Sequence, residues 1–399
     1  MPPAAVLYVV CDSDLYGTQR NILSVARRLD PACHTPLVAS PPRGRFTDAL
    51  RAERIPHFPV PLANLRDTAS VAALRNIIAT ENVALVHAHL GISAFLSLAA
   101  ARLSGNPPVV ATRHFIEDRY ATISNPALKR LYARIYARMN KRFARVIFVS
   151  EAVRSAIERR EGALGERGVV IPNGIDILRG PFKEELLPED SERIRDRFGV
   201  PPGRFLVSTL SRLAPEKGLD TLLETAAVLE RALPGRFHFI VAGEGPLRES
   251  LPSAAAALNV SASVTLAGYV DNPGELLAAS DAFVLCSRAE PFGIALLEAM
   301  AAGLPCVAAG AGGPLEIISD NESGLFFAPG DARGLAARLL DIEAAPSLRE
   351  RLVRGARARV VNFDERSLAP RLSALYEEVV SACQTGNKAA ARSNFGASK

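Results

Sequence analysis

The chain has 399 residues, of which 48% are hydrophobic and 22% are charged. This length predicts two or three domains, and this composition excludes wholesale disorder. Five cysteines, an odd number without CxxC spacing, argue against a disulfide framework and a cysteine-rich zinc site. No basic leader precedes the first apolar run, and the longest uncharged stretch, 83–101, contains two histidines and a glycine. We therefore expect a soluble or peripheral protein of the cytoplasm with reduced cysteines.

The net charge of +5 is unevenly distributed along the chain. Residues 1–175 carry 23 Lys and Arg against 13 Asp and Glu, whereas residues 176–399 carry 24 against 29. A basic first half and an acidic second half indicate two bodies with different partners. The basic half has no nucleic-acid-binding motif and no interleaved exposed aromatics, so we expect no nucleic-acid partner.

The first half alternates short β-branched apolar runs with longer amphipathic ones. The predicted strands are Ala5–Cys11, Pro36–Ala39, Ala84–His87, Val109–Thr112 and Val146–Ser150. The predicted helices are Gly17–Leu29, Phe46–Glu53, Ser70–Thr80, Ser93–Leu103 and Pro126–Arg142. This alternation predicts a parallel sheet that is covered on both faces.

The alternation breaks after Asn173–Gly174 and restarts in the second half. The predicted strands there are Phe205–Leu210, Phe237–Gly243, Val264–Ala267, Ala282–Cys286 and Cys306–Ala309, and Gly218–Leu233 is a predicted helix. We therefore predict two doubly wound α/β domains, 1–174 and 175–365. A last helix at about 366–382 is expected to pack back on the first domain. The small and polar segment 384–399 is expected to be a disordered tail.

One segment that follows a predicted strand carries two carboxylates. It reads Arg288-Ala-Glu-Pro-Phe-Gly-Ile, continues as a helix, and places Glu290 in the turn and Glu298 about two helical turns further on. Backbone N–H groups at the turn favour an anionic or hydroxyl-rich ligand. The two carboxylates would grip two polyol regions of one elongated ligand. The alternative is one solvated and one capping glutamate.

A second loop carries two cations. The segment Ser211-Arg-Leu-Ala-Pro-Glu-Lys-Gly follows a predicted strand, and in doubly wound sheets ligands bind beyond the carboxyl ends of the strands. Arg212 and Lys217 would neutralise a diphosphate and stabilise it as a leaving group. The alternative is a surface loop of salt bridges.

Taken together, these motifs resemble the retaining GT-B glycosyltransferases of the large family 4 group, which use nucleotide sugars. The resemblance also includes Phe148-Val-Ser-Glu, Ile171-Pro-Asn-Gly-Ile-Asp, Val241-Ala-Gly-Glu-Gly-Pro-Leu and Leu266-Ala-Gly-Tyr-Val. It implies two Rossmann-like domains facing across a cleft, with the acceptor on the side of 1–174 and the nucleotide sugar on 175–365. It also implies transfer from a UDP- or GDP-sugar to a glycan or lipid-linked acceptor, with the anomeric configuration retained.

The resemblance assigns roles to residues of the second domain. Arg212 and Lys217 would bind the donor diphosphate, and Glu298 would hold the ribose hydroxyls. Glu290 would hold the donor sugar. The other implied donor contacts are Gly243, Tyr269, Val270 and the backbone of Phe292, Gly293 and Ile294. Because the two cations can do the electrostatic work of a divalent metal, we expect no metal and no cofactor.

In the first domain the resemblance implies two further site residues. Gly17 would let the backbone approach the diphosphate, and His114 would face the donor sugar and the reacting centre. The family's double glycine and following Glu are replaced by Tyr16-Gly-Thr-Gln-Arg, so only Gly17 matches, which leaves the acceptor preference open. His87 and His89 are either a metal pair or histidines of the core or the cleft wall. The buried strand around them, with no carboxylate or Cys nearby, favours the core or the cleft wall.

A basic amphipathic helix is predicted within 126–145. Its apolar face holds Leu128, Leu131, Tyr132, Ile135, Tyr136, Met139 and Phe143. The same stretch holds seven cations and no acid. It either packs on the core with a solvated basic face or lies on an anionic membrane, where each cation contributes about 1 kcal/mol. Membrane contact would indicate a lipid-linked acceptor and a step in the synthesis of a surface polysaccharide, lipopolysaccharide or glycolipid at the inner face of the plasma membrane.

Two other functions stay open on this architecture. A nucleotide-sugar 2-epimerase would form product from the donor alone. A non-catalytic relative would bind a nucleotide or glycan, but the loss of Lys217, Glu290 or His114 that would favour it is not seen.

Overall fold

The computed structural model describes residues 3–89, 91–116, 125–177 and 187–395. The chain forms two compact units. The N-terminal unit comprises residues 1–174 and 365–399, and the central unit comprises residues 175–364. Within the described ranges, no helix is both long and apolar enough to cross a membrane. All five cysteines are free thiols.

The N-terminal unit is built on a sheet of seven parallel strands. The strands are β1 (Ala4–Val10), β2 (His34–Ser40), β3 (His57–Pro59), β4 (Val83–His89), β5 (Val109–Arg113), β6 (Arg145–Phe148) and β7 (Gly168–Val170). Their order is β3-β2-β1-β4-β5-β6-β7, so the winding direction reverses between β1 and β4. Ligands bind at such a reversal in doubly wound sheets.

Helices cover both faces of this sheet, as the alternating pattern predicts. They are α1 (Gly17–Arg28), α2 (Arg45–Ala52), α3 (Thr68–Thr80), α4 (Gly91–Arg102), α5 (Pro126–Asn140) and α6 (Glu151–Glu161). The middle strands are apolar along their whole length because both faces are buried, and Val6–Val10 of β1 is fully inaccessible. The edge strands β3 and β7 were not predicted, since three half-exposed residues carry no readable period.

The central unit repeats this architecture with six parallel strands. The strands are β8 (Phe205–Leu210), β9 (Phe237–Ala242), β10 (Val264–Gly268), β11 (Ala282–Leu285), β12 (Cys306–Ala309) and β13 (Leu325–Phe327). The helices are α7 (Pro188–Arg197), α8 (Leu219–Ala232), α9 (Ser250–Ala257), α10 (Pro273–Ala279), α11 (Ile294–Ala301), α12 (Pro314–Ile317), α13 (Ala332–Ala344) and α14 (Pro346–Val360). The strand order β10-β9-β8-β11-β12-β13 places its reversal between β8 and β11. The predicted α/β class is thus confirmed in both units.

The last helix, α15 (Glu365–Phe395), belongs to the N-terminal unit. Leu372, Tyr376 and Val379 of α15 are buried in the core of that unit. The prediction of a disordered tail from residue 384 is wrong for 384–395, which continue the helix. The alanine-rich segment Lys388-Ala-Ala-Ala-Arg has high helix propensity, which favours extension of a helix that is already nucleated. Residues 396–399 lie outside the described residues.

Candidate functional site

Most of the predicted donor-site residues lie at one edge of the central sheet. Because the strands are parallel, the loops that follow them all leave at their carboxyl edge. The loops carry Arg212 and Lys217 after β8, Gly243 after β9, Tyr269 and Val270 after β10, and Glu290, Phe292 and Gly293 after β11. Helix α11 then adds Ile294 and Glu298, and Glu298 is partly buried.

The loops after β8 and β11 meet through an ion pair at the reversal point of the sheet. Lys217 Nζ lies 2.8 Å from Glu290 Oε2, and the two side chains are only 17% and 10% exposed. The hydroxyl of the buried Ser287 donates to the same carboxylate oxygen at 2.6 Å. A cation and a hydrogen-bonded carboxylate therefore sit together where an anionic, hydroxyl-bearing ligand would bind. Ser287 was not predicted.

Arg288 ties the same two loops together from the outside. Its backbone N–H donates to Glu216 O at 2.8 Å, and its guanidinium donates to Pro215 O at 3.3 Å and to Asp220 Oδ2 at 2.6 Å. The hydrogen bond to Asp220 raises the pKa of the guanidinium above its ordinary value. No role of Arg288 was predicted from the sequence.

Two glycines allow the loops to approach each other closely. Gly218 has a φ of +63°, and a Cβ on it would stand 2.3 Å from Cys286 O. Gly243 has a φ of +144°, and a Cβ on it would stand 1.9 Å from Ser211 O. Gly243 is thus needed for packing of the β9 loop against the β8 loop. Its contact with a donor stays a prediction.

The carboxylate of Glu244 organises the side of the site where the base is predicted. Its Oε1 accepts from Tyr269 N at 3.3 Å and from Arg248 Nη1 at 2.6 Å. Val270 packs against a small core cluster that includes Leu276. Glu244 was missed, although it lies between the two glycines of Gly243-Glu-Gly.

The remaining residues of the β11 loop are fixed by their backbone. Phe292 is buried, and its ring centroid lies 5.8 Å from that of Phe363. Gly293 has a φ of +115° and is the N-cap residue of α11. Gly313 N donates to Glu290 O at 2.9 Å.

Arg212, on the loop after β8, is by contrast 53% exposed. It lies 3.8 Å from Glu216, a surface ion pair that contributes no more than about 1 kcal/mol to stability.

Gly17 and His114 belong to the N-terminal unit. Gly17 is the exposed first residue of α1, and His114 directly follows β5, so both lie at the carboxyl edge of that sheet. His114 is buried and its Nε2 lies 2.9 Å from His89 Nδ1.

His114 ends a buried polar network. His87 lies 2.6 Å from both Thr112 Oγ1 and the hydroxyl of Tyr376, and that hydroxyl lies 3.1 Å from the hydroxyl of Tyr8. Burial lowers the pKa of His87 and of His114 to about 3, and lowers the pKa of His89 well below its ordinary value. All three imidazoles are therefore neutral at pH 7. The prediction that His87 and His89 are core residues is confirmed, whereas the tyrosines and Thr112 were missed.

Among the described residues, no three His, Cys, Asp or Glu side chains converge in a way that would hold a metal ion. The chain has a single Asp-x-Asp sequence, Asp12-Ser-Asp. Asp12 Oδ1 accepts from Asp14 N at 3.0 Å, which makes a local turn after β1.

The helix α5 does not bury its apolar face along its full length. Leu128, Leu131 and Ile135 are 41%, 51% and 42% exposed. Only its C-terminal end is anchored in the core, through Met139 and the following Phe143. The exposed residues lie among exposed cations, namely Lys129, Arg130, Arg134, Arg138, Lys141 and Arg142.

Comparison with known proteins identifies the family. The chain matches the model described as "Glycosyltransferase Family 4" over residues 16–179 and that described as "Glycosyl transferases group 1" over residues 190–359. A glycogen synthase of Mycobacterium tuberculosis is 32% identical over 297 residues, which are 73% of this chain and 68% of the relative. The lipopolysaccharide core biosynthesis glycosyltransferase LpsE of Rhizobium meliloti is 36% identical over 44% of this chain and 50% of its own.

The fold resembles that of solved structures. The crystal structure of Anabaena HepE in complex with UDP and glucose superposes with a TM-score of 0.81 at 22% identity, over 93% of this chain and 99% of HepE. The two doubly wound units, the loop motifs and these matches all indicate the same family. The chain belongs to the family 4 group of glycosyltransferases, the glycosyl transferases group 1, and has the GT-B fold.

Proposed function

We propose that the protein transfers a sugar from a UDP- or GDP-sugar to a hydroxyl of a glycan or lipid-linked acceptor, with retention of the anomeric configuration and without a metal ion. The observation that carries the proposal is the contact between Lys217 and Glu290, which joins a cation and a carboxylate on neighbouring loops. Supporting it, the related HepE structure holds UDP and glucose, and the relatives include a glycogen synthase and a lipopolysaccharide core transferase.

In the proposed reaction the bond between the anomeric carbon and the diphosphate oxygen breaks, and its electron pair leaves with the diphosphate. The acceptor oxygen forms the new bond on the same face of the sugar, and its proton passes to a phosphate oxygen. Arg212 and Lys217 would stabilise the charge that develops on the leaving group, which is the part a metal ion plays elsewhere. The protein also orients the reactants and excludes water.

The other residues would bind the donor. Glu290 and the backbone from Phe292 to Ile294 would hold the sugar, and Glu298 would hold the ribose. Tyr269 and Val270 would lie beside the base, next to Gly243. From the N-terminal unit, Gly17 would meet the diphosphate and His114 the sugar.

The test is a panel of UDP- and GDP-sugars with lipid-linked and soluble glycan acceptors, in the presence of a chelator. We expect one donor to be consumed with an acceptor, and NMR of the product to show the anomeric configuration of the donor. Product formed from the donor alone would indicate an epimerase instead. An inverted product, or activity only after metal is restored, would overturn the corresponding part of the proposal.

We further propose that α5 places the enzyme on an anionic bilayer at the inner face of the plasma membrane, where a lipid-linked acceptor in surface polysaccharide, lipopolysaccharide or glycolipid synthesis would be reached. The exposed face formed by Leu128, Leu131 and Ile135 supports this, since apolar residues ringed by cations suit the headgroup region. About 1 kcal/mol per cation adds electrostatic attraction.

Co-sedimentation with vesicles tests the membrane proposal. We expect binding to vesicles that contain phosphatidylglycerol, and little binding to phosphatidylcholine alone. Leu131→Glu should weaken it, whereas Leu315→Glu should not, because Leu315 is equally exposed at 53% but lies on the central unit. Equal loss in both variants, or equal binding to both vesicles, would contradict the assignment of α5.

A further inference from the structure

The N-terminal unit contains a ladder of two hydrogen-bonded rungs between β4 and β5. In the sheet register, His87 lies opposite Val110 and His89 lies opposite Thr112. Each histidine bonds to a residue two positions further along the neighbouring chain segment: His87 to Thr112 and His89 to His114. The second rung therefore joins His89 to the histidine that we expect to face the donor sugar.

One nitrogen of the second rung has no partner. His89 is 1% exposed, and its Nε2 has no hydrogen-bond partner among the described residues. Its Nδ1 lies 2.9 Å from His114 Nε2, and the two rings are stacked with centroids 5.1 Å apart. Burial keeps both imidazoles neutral, so each carries a single N–H.

This leaves two arrangements of the protons. If His114 donated through Nε2, His89 would accept at Nδ1 and carry its own proton on Nε2, as a buried N–H without an acceptor. If His89 donates through Nδ1, the unpartnered Nε2 is only a lone pair. An orphaned buried N–H is the rarer and costlier of the two. His89 is therefore the donor, and His114 carries its proton on Nδ1.

We propose that His89 is a positioning residue that fixes His114 in the Nδ1–H tautomer, so that His114 offers a hydrogen-bond donor to an oxygen of the ligand instead of acting as a base. The identity of that ligand as a donor sugar rests on the proposed function, whereas the tautomer does not. Free histidine prefers the Nε2–H form, so the tautomer of His114 is imposed by its neighbour.

The tautomers are read directly by long-range ¹⁵N–¹H correlation NMR of the full chain labelled in its six histidines. Variants of single histidines assign the signals. We expect the wild-type spectrum to show the proton of His114 on Nδ1. In His89→Phe, which keeps a ring in the site but removes the donor, the proton of His114 should move to Nε2. Thr112→Val breaks only the first rung and should leave His114 unchanged.

Kinetics give the second readout. We expect His89→Phe to lower kcat at least about tenfold, since loss of one preorganised hydrogen-bond donor to a charge that develops in the transition state costs this much or more. The donor KM should stay within about twofold, since the interaction is made mainly in the transition state. His89→Asn, whose amide can donate to His114, should recover part of the rate.

Three results would overturn the inference or its catalytic part. A wild-type proton on His114 Nε2, or an Nδ1–H retained in His89→Phe, would refute the tautomer assignment. The expected tautomers with an unchanged kcat would refute the catalytic role and leave the proposed function in place. The spectra need no substrate, so a chain without transferase activity would refute the proposed function and still decide the tautomer.

Discussion

Replacing Glu290 by glutamine should strengthen the binding of a free nucleoside diphosphate while weakening that of the nucleotide sugar. The carboxylate of Glu290 lies 2.8 Å from the ammonium group of Lys217, and both side chains are mostly buried. A diphosphate bound at Lys217, as proposed above, would share this cation with the carboxylate and would also meet its negative charge. Glu290→Gln removes the charge but keeps the size of the side chain and its hydrogen bonding to Ser287.

The magnitude follows from the separation of the charges. The two charges are the carboxylate of Glu290 and a diphosphate at Lys217. Two unit charges about 4 Å apart interact by about 4 kcal/mol at an effective dielectric constant of about 20. Solvent screening reduces this energy to about 1 kcal/mol for a partly exposed pair. Binding of UDP should therefore tighten about fivefold. The nucleotide sugar also loses a charge-assisted hydrogen bond worth about 1.5–3 kcal/mol, so its net affinity should fall. Transfer itself should slow about a hundredfold or more, if Glu290 contacts the sugar in the transition state.

Isothermal titration calorimetry of the full chain with UDP and with a UDP-sugar, without an acceptor, measures both affinities. If the protein binds guanine nucleotides instead, GDP and a GDP-sugar are used. Glu216→Gln is the matched control, since this carboxylate lies beside Lys217 on the loop after β8 but is 45% exposed and 3.8 Å from Arg212. We expect the control to change neither affinity by more than about twofold. A weaker affinity of Glu290→Gln for UDP would refute the reasoning.

Three further predictions concern stability and loop geometry. Arg288→Ala removes the hydrogen bonds that join the loops after β8 and β11, and should lower the affinity for the nucleotide about tenfold with a small change in melting temperature. Calorimetric titration measures this affinity. An unchanged affinity would show that the loops keep their positions without Arg288. Glu161→Ala leaves the buried Arg113 without the carboxylate that it meets at 3.1 Å through both terminal nitrogens, and should cost about 3–5 kcal/mol in urea unfolding; a loss below about 1 kcal/mol would contradict this. The buried histidines His87, His89 and His114 stay neutral in the folded protein and take up protons only on unfolding. They therefore do not lower the free energy of unfolding above pH 6.5, the ordinary pKa of histidine. This free energy should fall as the pH drops toward 3, by up to about 1.4 kcal/mol per pH unit for each; a flat profile from pH 7 to pH 5 in urea titrations would be inconsistent with neutral buried rings.

The sequence predicts the core of the fold because the buried strands are unambiguous. A run such as Val6–Val10 is apolar on both faces, which is typical of a parallel strand that is covered on both sides. The edge strands β3, β7 and β13 escape prediction because three residues carry no period. The small and polar composition after residue 383 predicts a disordered tail, whereas its alanines also favour the helix that continues to Phe395.

For the site, local motifs predict the loops but not the contacts between them. Arg212, Lys217, Glu290 and Glu298 stand out as charges beside predicted strand ends. That Lys217 meets Glu290 is a long-range fact of strand order, since β8 and β11 are neighbours only after three crossovers. Tyr376 joins the histidine ladder from the last helix, almost 300 residues after His87, so no local pattern points to it.

The measurement that tests the central claim most directly is binding of UDP, GDP, ADP, dTDP and CMP to the wild type and to Lys217→Ala, followed by thermal unfolding. One nucleotide present at about 100 times its dissociation constant should stabilise the wild type by about 2.7 kcal/mol, and this gain should be lost in the variant. No stabilisation by any nucleotide, or the same stabilisation in Lys217→Ala, would contradict the assignment of the central loops as the donor site.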